Sequence, residues 1–250
     1  MIKRTLILAA LVITTVSCLY AGLMVTPTRE EVTLPPGGTF SGSYKVTNDL
    51  GKPASYYVEP NYWYVSKEEA NIQLSDWLTV YPSTFTFKPG ETVEEKYIIN
   101  ISTSVAGMRA VMLSFVPSEA ENGVSLVISV SLYVTVKGTE KLDWDFSNFR
   151  IIRWQGDAQL SVDVKNRGNV HVRPSGTINI SGKKETDLII PENPPVYPGQ
   201  ERQILCHGAE KELFPKPGKY TIKVSVKSGD ITKIKKYKVK VKDTGEVIIK

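Results

Sequence analysis

From about residue 29 to its end, the chain repeats one kind of segment: a short run rich in Val, Ile, Thr and Tyr, closed by Gly, Pro or Asn. Apolar and polar residues alternate within these runs. Period-two alternation puts one set of side chains on each face of an extended strand, and β-branched and aromatic residues suit that pleated surface. Strands are predicted over residues 29–34, 39–48, 54–64, 77–80, 84–87, 92–101, 109–115 and 124–136. A polar hinge follows at 137–141, and the pattern restarts over 144–152, 158–166, 176–180, 188–190, 202–205, 218–227 and 231–241. Pro35-Pro36-Gly37-Gly38 and Lys88-Pro89-Gly90 are strong turn formers between strands. Residues 66–74 are the one stretch that reads as a candidate helical turn.

Two sets of about seven strands, each in roughly 100–120 residues, predict an all-β protein of two tandem immunoglobulin-like β-sandwich domains. Their expected extents are residues 22–138 and 139–250, after a signal peptide at 1–21. An internal echo supports the division. Val46-Thr47-Asn48 before a turn corresponds to Val164-Lys165-Asn166, and Phe87-Lys88-Pro89-Gly90-Glu91 corresponds to Val196-Tyr197-Pro198-Gly199-Gln200. Related modules in tandem explain such a repeat.

The first residues read as an export signal. Lys3 and Arg4 precede an apolar run over residues 6–16, and Ser17 to Gly22 offers small residues for cleavage. The run is too short for the ~20 residues that span a bilayer. Two processing outcomes fit: cleavage after Ala21, or lipidation of Cys18, because Val16-Ser17-Cys18 is similar to the end of a bacterial lipobox. Export places the protein in the periplasm or at the cell surface. With Cys18 removed, Cys206 has no partner, and the fold must stand without a disulfide. A hydrophobic fraction of 41% is enough for that. The net charge of +5 is unevenly spread: 11 − 13 = −2 over residues 1–141, and 20 − 13 = +7 over 142–250.

No catalytic constellation stands out, and no cofactor or metal site is expected. Cys206 and His207 are adjacent, but neighbours on a strand point to opposite faces. The same argument separates the carboxylates of Glu30-Glu31, Glu68-Glu69 and Glu94-Glu95, which read as solvated charges. Asp143 and Asp145 share a face, yet no third ligand accompanies them. Phosphate-binding glycine loops, zinc spacings and a Gly-x-Ser-x-Gly elbow are absent from the sequence.

Two strands carry the remaining signal. Residues 124–136 have no charge, no proline and no internal glycine. Leu126, Ile128, Val130, Leu132, Val134 and Val136 share one face, and Ser125, Ser129, Ser131 and Thr135 dominate the other beside Val127 and Tyr133. Such a strand is either a covered core strand or one that lends an edge to a partner by strand addition. The last long strand sets Lys236, Lys238, Lys240 and Lys242 opposite Tyr237, Val239 and Val241. That row is either a solvated face guarding an edge strand or a site for an anionic surface. No aromatic residue interleaves with these lysines, which argues against nucleic acid.

On these residues the first domain resembles the N-terminal domain of the periplasmic pilus-assembly chaperones, the PapD-like family. The resemblance runs from Leu23 to about Lys137. It is carried by Val25-Thr26-Pro27-Thr28-Arg29, Tyr44-Lys45-Val46-Thr47-Asn48, Phe87-Lys88-Pro89-Gly90-Glu91, residues 108–117 and the long alternating strand. It implies two Ig-like domains, and a long strand that completes a partner subunit's unfinished sandwich. It also implies a basic pair that holds the partner's terminal carboxylate. Arg29 stands where the family's arginine is expected; the family's strand lysine has no counterpart before Lys137. The expected partner-binding residues are Arg29, Ser129, Ser131, Leu132 and Tyr133. The function expected is that of a non-catalytic envelope chaperone or assembly protein whose partner is a protein subunit of the cell envelope or of a pilus-like assembly. The alternative is a structural or adhesive module binding glycan or another envelope component.

Overall fold

The computed structural model describes residues 22–65, 72–119, 125–154, 157–182, 185–209 and 213–249. The expected signal segment with Cys18, the Glu68-Glu69 doublet and Val124 lie outside the described residues. The chain forms two compact units. One holds the residues up to Thr103 together with Ala110–Val134; the other holds Ser104–Arg109 together with Thr135–Lys250.

The first unit contains strands β1 (Gly22–Thr26), β2 (Arg29–Leu34), β3 (Thr39–Asp49), β4 (Ala54–Tyr64), β5 (Leu78–Tyr81), β6 (Thr84–Phe87) and β7 (Thr92–Asn100), and most of β8 (Met108–Pro117) and β9 (Ile128–Val136). A 3-10 turn at Leu74–Asp76 precedes β5. One sheet has the order β1-β3-β7-β5 and the other β2-β9-β8-β4-β6. The alternation read from the sequence becomes burial. Tyr44 and Val46 of β3, Tyr97 and Ile99 of β7, Leu113 and Phe115 of β8, and Leu132 and Val134 of β9 are all at most 1% exposed. A side chain such as these contributes roughly 1.5–3 kcal/mol when fully buried.

The second unit contains β10 (Trp144–Trp154), β11 (Asp157–Asn166), β12 (Ser175–Ser181), β13 (Thr186–Ile190), β14 (Glu201–Ala209), β15 (Gly218–Ser228), β16 (Ile231–Val241) and β17 (Val247–Ile249). Its sheets have the orders β10-β11-β14 and β13-β12-β15-β16-β17. Trp144, Phe146, Leu160, Val162, Ile178, Ile222 and Val224 pack in one buried cluster between them. Tyr220, near the start of β15, donates its hydroxyl to the Lys216 carbonyl four residues upstream. This is the tyrosine corner of immunoglobulin-type sandwiches.

The echo in the sequence is a shared corner. In the first unit Asn48, fully buried, donates from Nδ2 to the carbonyls of Lys52 (2.9 Å) and Phe87 (3.2 Å), and its Oδ1 accepts from the Leu50 N–H at 2.9 Å. In the second unit Asn166, also fully buried, donates to Val170 (2.7 Å) and Val196 (2.8 Å) and accepts from Gly168 at 2.9 Å. The backbone follows suit. Asn48 N–H bonds Glu91 O and Gly90 N–H bonds Asn48 O; Asn166 N–H bonds Gln200 O and Gly199 N–H bonds Asn166 O. Gly90 and Gly199 both sit at φ 75°, a left-handed conformation that favours glycine. Each asparagine ties the turn after one strand to the Pro-Gly turn before another.

Two strands were not anticipated, β1 and β17. The expected strand from 124 begins instead at Ile128. Alternation marks where a strand is able to form, but a ladder also needs a neighbour. The adjacent β8 ends at Pro117, which has no N–H to extend one.

Candidate functional site

The long uncharged strand does not lie at an open edge. β9 sits between β2 and β8, and the Ser131 N–H donates to the Thr28 carbonyl just ahead of β2 at 3.2 Å. Of the two readings the sequence leaves open, a covered strand or one that lends an edge, this pairing is that of a covered strand over Ile128–Val136. Serines at alternate positions point out of the sheet plane, not along it. Ser129 shares a hydrogen bond with Ser114 at 2.9 Å, and Ser131 reaches the Met112 sulfur at 3.4 Å, both across to β8 on the sheet's outer face. Leu132 is fully buried and Tyr133 is 4% exposed, so neither reaches the surface of the closed fold.

The exposed part of this segment lies just upstream. Residues 125–127 belong to no strand, and Leu126 and Val127 are 61% and 42% exposed. They lead directly into β9. Arg29 opens β2, next to the Thr28 carbonyl that Ser131 engages. Its guanidinium is half-exposed and lies 3.5 Å from the Glu31 carboxylate. A carboxylate arriving at Arg29 therefore competes with one already there.

The lysine row divides in two. Lys236, Lys238 and Lys240 are exposed on the outer face of the β13-β12-β15-β16-β17 sheet. Lys242 lies beyond the end of β16 and pairs with Glu246 at 2.7 Å. Lys233 and Lys235 point the other way. Lys235 Nζ binds Asp145 at 3.0 Å and the Phe146 carbonyl, and Lys233 stands 5.4 Å from the centre of the Trp144 ring. Burial alone raises the Asp145 pKa. The Lys235 hydrogen bond, the Phe146 N–H and the charges of Lys235 and Lys233 outweigh it and hold the carboxyl below its usual range. Asp143 is paired with Arg167 at 3.0 Å. The two aspartates flanking Trp144 thus serve separate ion pairs. Among the described residues no group of three or more His, Cys, Asp or Glu is placed to hold a metal.

Cys206 and His207 diverge as strand geometry requires. The Cys206 thiol is buried, reaches the Ile189 carbonyl at 3.3 Å, and has its pKa raised by that burial. His207 is exposed and lies 3.4 Å from Gln159.

One carboxylate was misread from the sequence. Glu94 is exposed, but Glu95 is fully buried in the first domain. It faces Tyr44 across the β3–β7 pairing, and the Tyr44 and Tyr97 rings are 5.4 Å apart. Neither Glu95 oxygen has a hydrogen-bond partner among the described residues. Burial pushes the Glu95 pKa up to about 8. It also raises both tyrosines, and the nearby Glu30 carboxylate adds to the effect. The signal was present in the sequence: in a period-two strand, Glu95 shares its face with Tyr97 and Ile99.

Fold and surfaces together define a two-domain, all-β protein of immunoglobulin-like sandwiches, with an exposed apolar segment leading into an interior strand and a basic outer sheet face. No protein-family model and no curated protein matches the chain. Solved structures similar to it include the YadV chaperone, at 12% identity over 91% of this chain and 97% of that one, with a TM-score of 0.47. The CupB2 chaperone of Pseudomonas aeruginosa is similar at 13% identity over 91% and 97%, with a TM-score of 0.45. So is the CsuC–CsuE chaperone–tip adhesion subunit pre-assembly complex from the archaic chaperone-usher Csu pili of Acinetobacter baumannii, at 14% identity over 86% and 97%, with a TM-score of 0.43.

Proposed function

We propose that this chain is a non-catalytic, exported chaperone or assembly protein of the cell envelope that binds a partner polypeptide by strand addition beside residues 125–127. The observation that carries the reading is the exposure of Leu126 and Val127 in an uncharged segment that belongs to no strand among the described residues and continues into β9. Main-chain groups without a ladder partner offer hydrogen bonds to an incoming strand, and alternate apolar side chains select it. Arg29, one residue from the Thr28–Ser131 bond, supplies a cation beside the same strand. Ser129, Ser131, Leu132 and Tyr133 then act as support: the serines tie β9 to β8, and the two larger residues anchor it.

The test is crosslinking in living cells. A photoreactive residue at Leu126 is expected to give a covalent adduct of one defined mass, and the same residue at exposed Lys88 is expected to give none. An adduct pattern that is the same at both positions contradicts the reading.

A further inference from the structure

The row of lysines seen in the sequence is half of a larger surface. β15 and β16 pair antiparallel, with Lys219 opposite Lys240, Thr221 opposite Lys238, Lys223 opposite Lys236, and Lys227 opposite Thr232. Residues directly opposite on paired strands share a face. Lys219, Lys223, Lys227, Lys236, Lys238 and Lys240 are accordingly all exposed on one side of the sheet, while Tyr220, Ile222, Val224 and Val226 fill the core on the other. None of the six lysines makes an ion pair among the described residues.

Edge protection does not account for this arrangement. β15 is an interior strand, between β12 and β16, and has no open edge to guard. Two lysine pairs stand directly opposite each other, Lys219 with Lys240 and Lys223 with Lys236. Like charges so placed are destabilising. A fold that needed only a soluble face would do better with mixed signs. The face also carries an exposed apolar side chain among the lysines: Ile234, 53% exposed, opposite Ser225. At one end the residues around a shallow depression include Thr177, Ile189, Ser225, Lys227 and Thr232, with the single carboxylate of Glu192 at its side. Ile189 there is 77% exposed.

We propose that the outer face of β15 and β16 is a docking surface for a lipid bilayer bearing anionic headgroups. The lysines match the headgroup charge, the hydroxyls of Thr177, Ser225 and Thr232 offer hydrogen bonds, and Ile234 and Ile189 enter the interface. Single-stranded nucleic acid is disfavoured because no aromatic ring on the Lys219–Lys240 face offers a base a stacking platform. The inference is independent of the strand-addition reading, which concerns the other domain.

The experiment is sedimentation of the mature protein with vesicles of zwitterionic phosphatidylcholine, alone or mixed with anionic phosphatidylglycerol. Binding is expected to the mixed vesicles only, and to weaken with salt. Each lysine near such a surface contributes roughly fivefold in affinity, so Lys223→Glu, Lys236→Glu and Lys238→Glu together should weaken binding on the order of 100-fold. The milder Lys→Gln triple at the same positions should weaken it too, and covers the case in which the glutamates disturb folding. A charge-matched control changes exposed Lys88, Lys96 and Lys165 to Glu and should retain binding. Equal loss in the control, or no binding to mixed vesicles, overturns the proposal. So does retention of a soluble sulfated polysaccharide by a face that ignores the vesicles.

Discussion

Asn48 and Asn166 make the same bonds to the same places in their two sandwiches, yet the sheets they brace present different faces to solvent. On the first domain's five-stranded sheet, the outer face is largely neutral and carries hydroxyls: Ser55 bonds Thr86 at 2.7 Å and Ser114 bonds Ser129 at 2.9 Å. On the second domain's five-stranded sheet, the corresponding face carries six lysines without ion pairs among the described residues. The interiors differ as well. The first domain buries Glu95 on the same strand face as Tyr97 and opposite Tyr44, whereas the core of the second is built on Trp144, Phe146, Leu160 and Ile222. The corner belongs to the fold, and the residues away from it are where the two modules specialised.

The corner gives the largest expected effect. Asn48→Ala removes two donated bonds and one accepted bond and strands the Phe87 carbonyl and its neighbours; Asn166→Ala does the same at Val196. Each should cost about 3 kcal/mol or more, because a buried group left unpaired forfeits its full desolvation energy. Denaturant unfolding followed domain by domain through hydrogen exchange checks this. A large loss in one domain and none in the other breaks the equivalence.

Glu95 distinguishes the interiors. Below about 4.5 its carboxyl is neutral whether the chain is folded or not, and it sets no pH dependence. Between about 4.5 and about 8 the unfolded chain releases the proton and the folded chain keeps it, so the first domain loses stability as pH rises through that window. Above about 8 the contribution is constant. The loss should amount to a few kcal/mol, since each unit of pH in the window costs ~1.4 kcal/mol. Glu95→Gln should flatten the slope. The second domain should not share it, and alkylation of the buried Cys206 thiol gives a probe of that domain's opening alone. A Cys206 alkylation rate that tracks the first domain's pH profile, after division by the rate of free cysteine at the same pH, would show that the two domains do not open separately.

The smallest effect lies on the outer face. Lys236→Glu converts the opposed pair with Lys223 into one of opposite sign. It should stabilise the second domain by roughly 0.2–1 kcal/mol, less at high salt. A thermal melt that falls instead argues against cross-strand repulsion.

Much of this was legible in the sequence. The strands at 29–34, 54–64, 84–87 and 231–241 have the bounds their alternation gives, because both ends carry turn residues. The Asn and Pro-Gly echo was visible as letters, although only the structure shows the asparagine amides bridging the turns. What was not legible depends on neighbours. Lys219, Lys223 and Lys227 are spaced four apart and look like ordinary polar positions of an alternating strand; register alone sets Lys219 against Lys240 and Lys223 against Lys236. The ladder partners of β9, unseen in its own residues, decide that Ile128–Val136 is an interior strand while residues 125–127 belong to none.

The most direct test of the account is partner capture from a crosslinked cell envelope by four folded proteins: wild type, Leu126→Asp with Val127→Asp, Ser131→Lys, and Arg29→Ala. Circular dichroism first confirms that each is folded. The account predicts near-complete loss of the captured partner for the double aspartate variant. It predicts a smaller loss for Arg29→Ala, between about tenfold and about 100-fold for a charged hydrogen bond worth ~1.5–3 kcal/mol, and little change for Ser131→Lys on the sheet face. Undiminished capture by the double aspartate variant would contradict it.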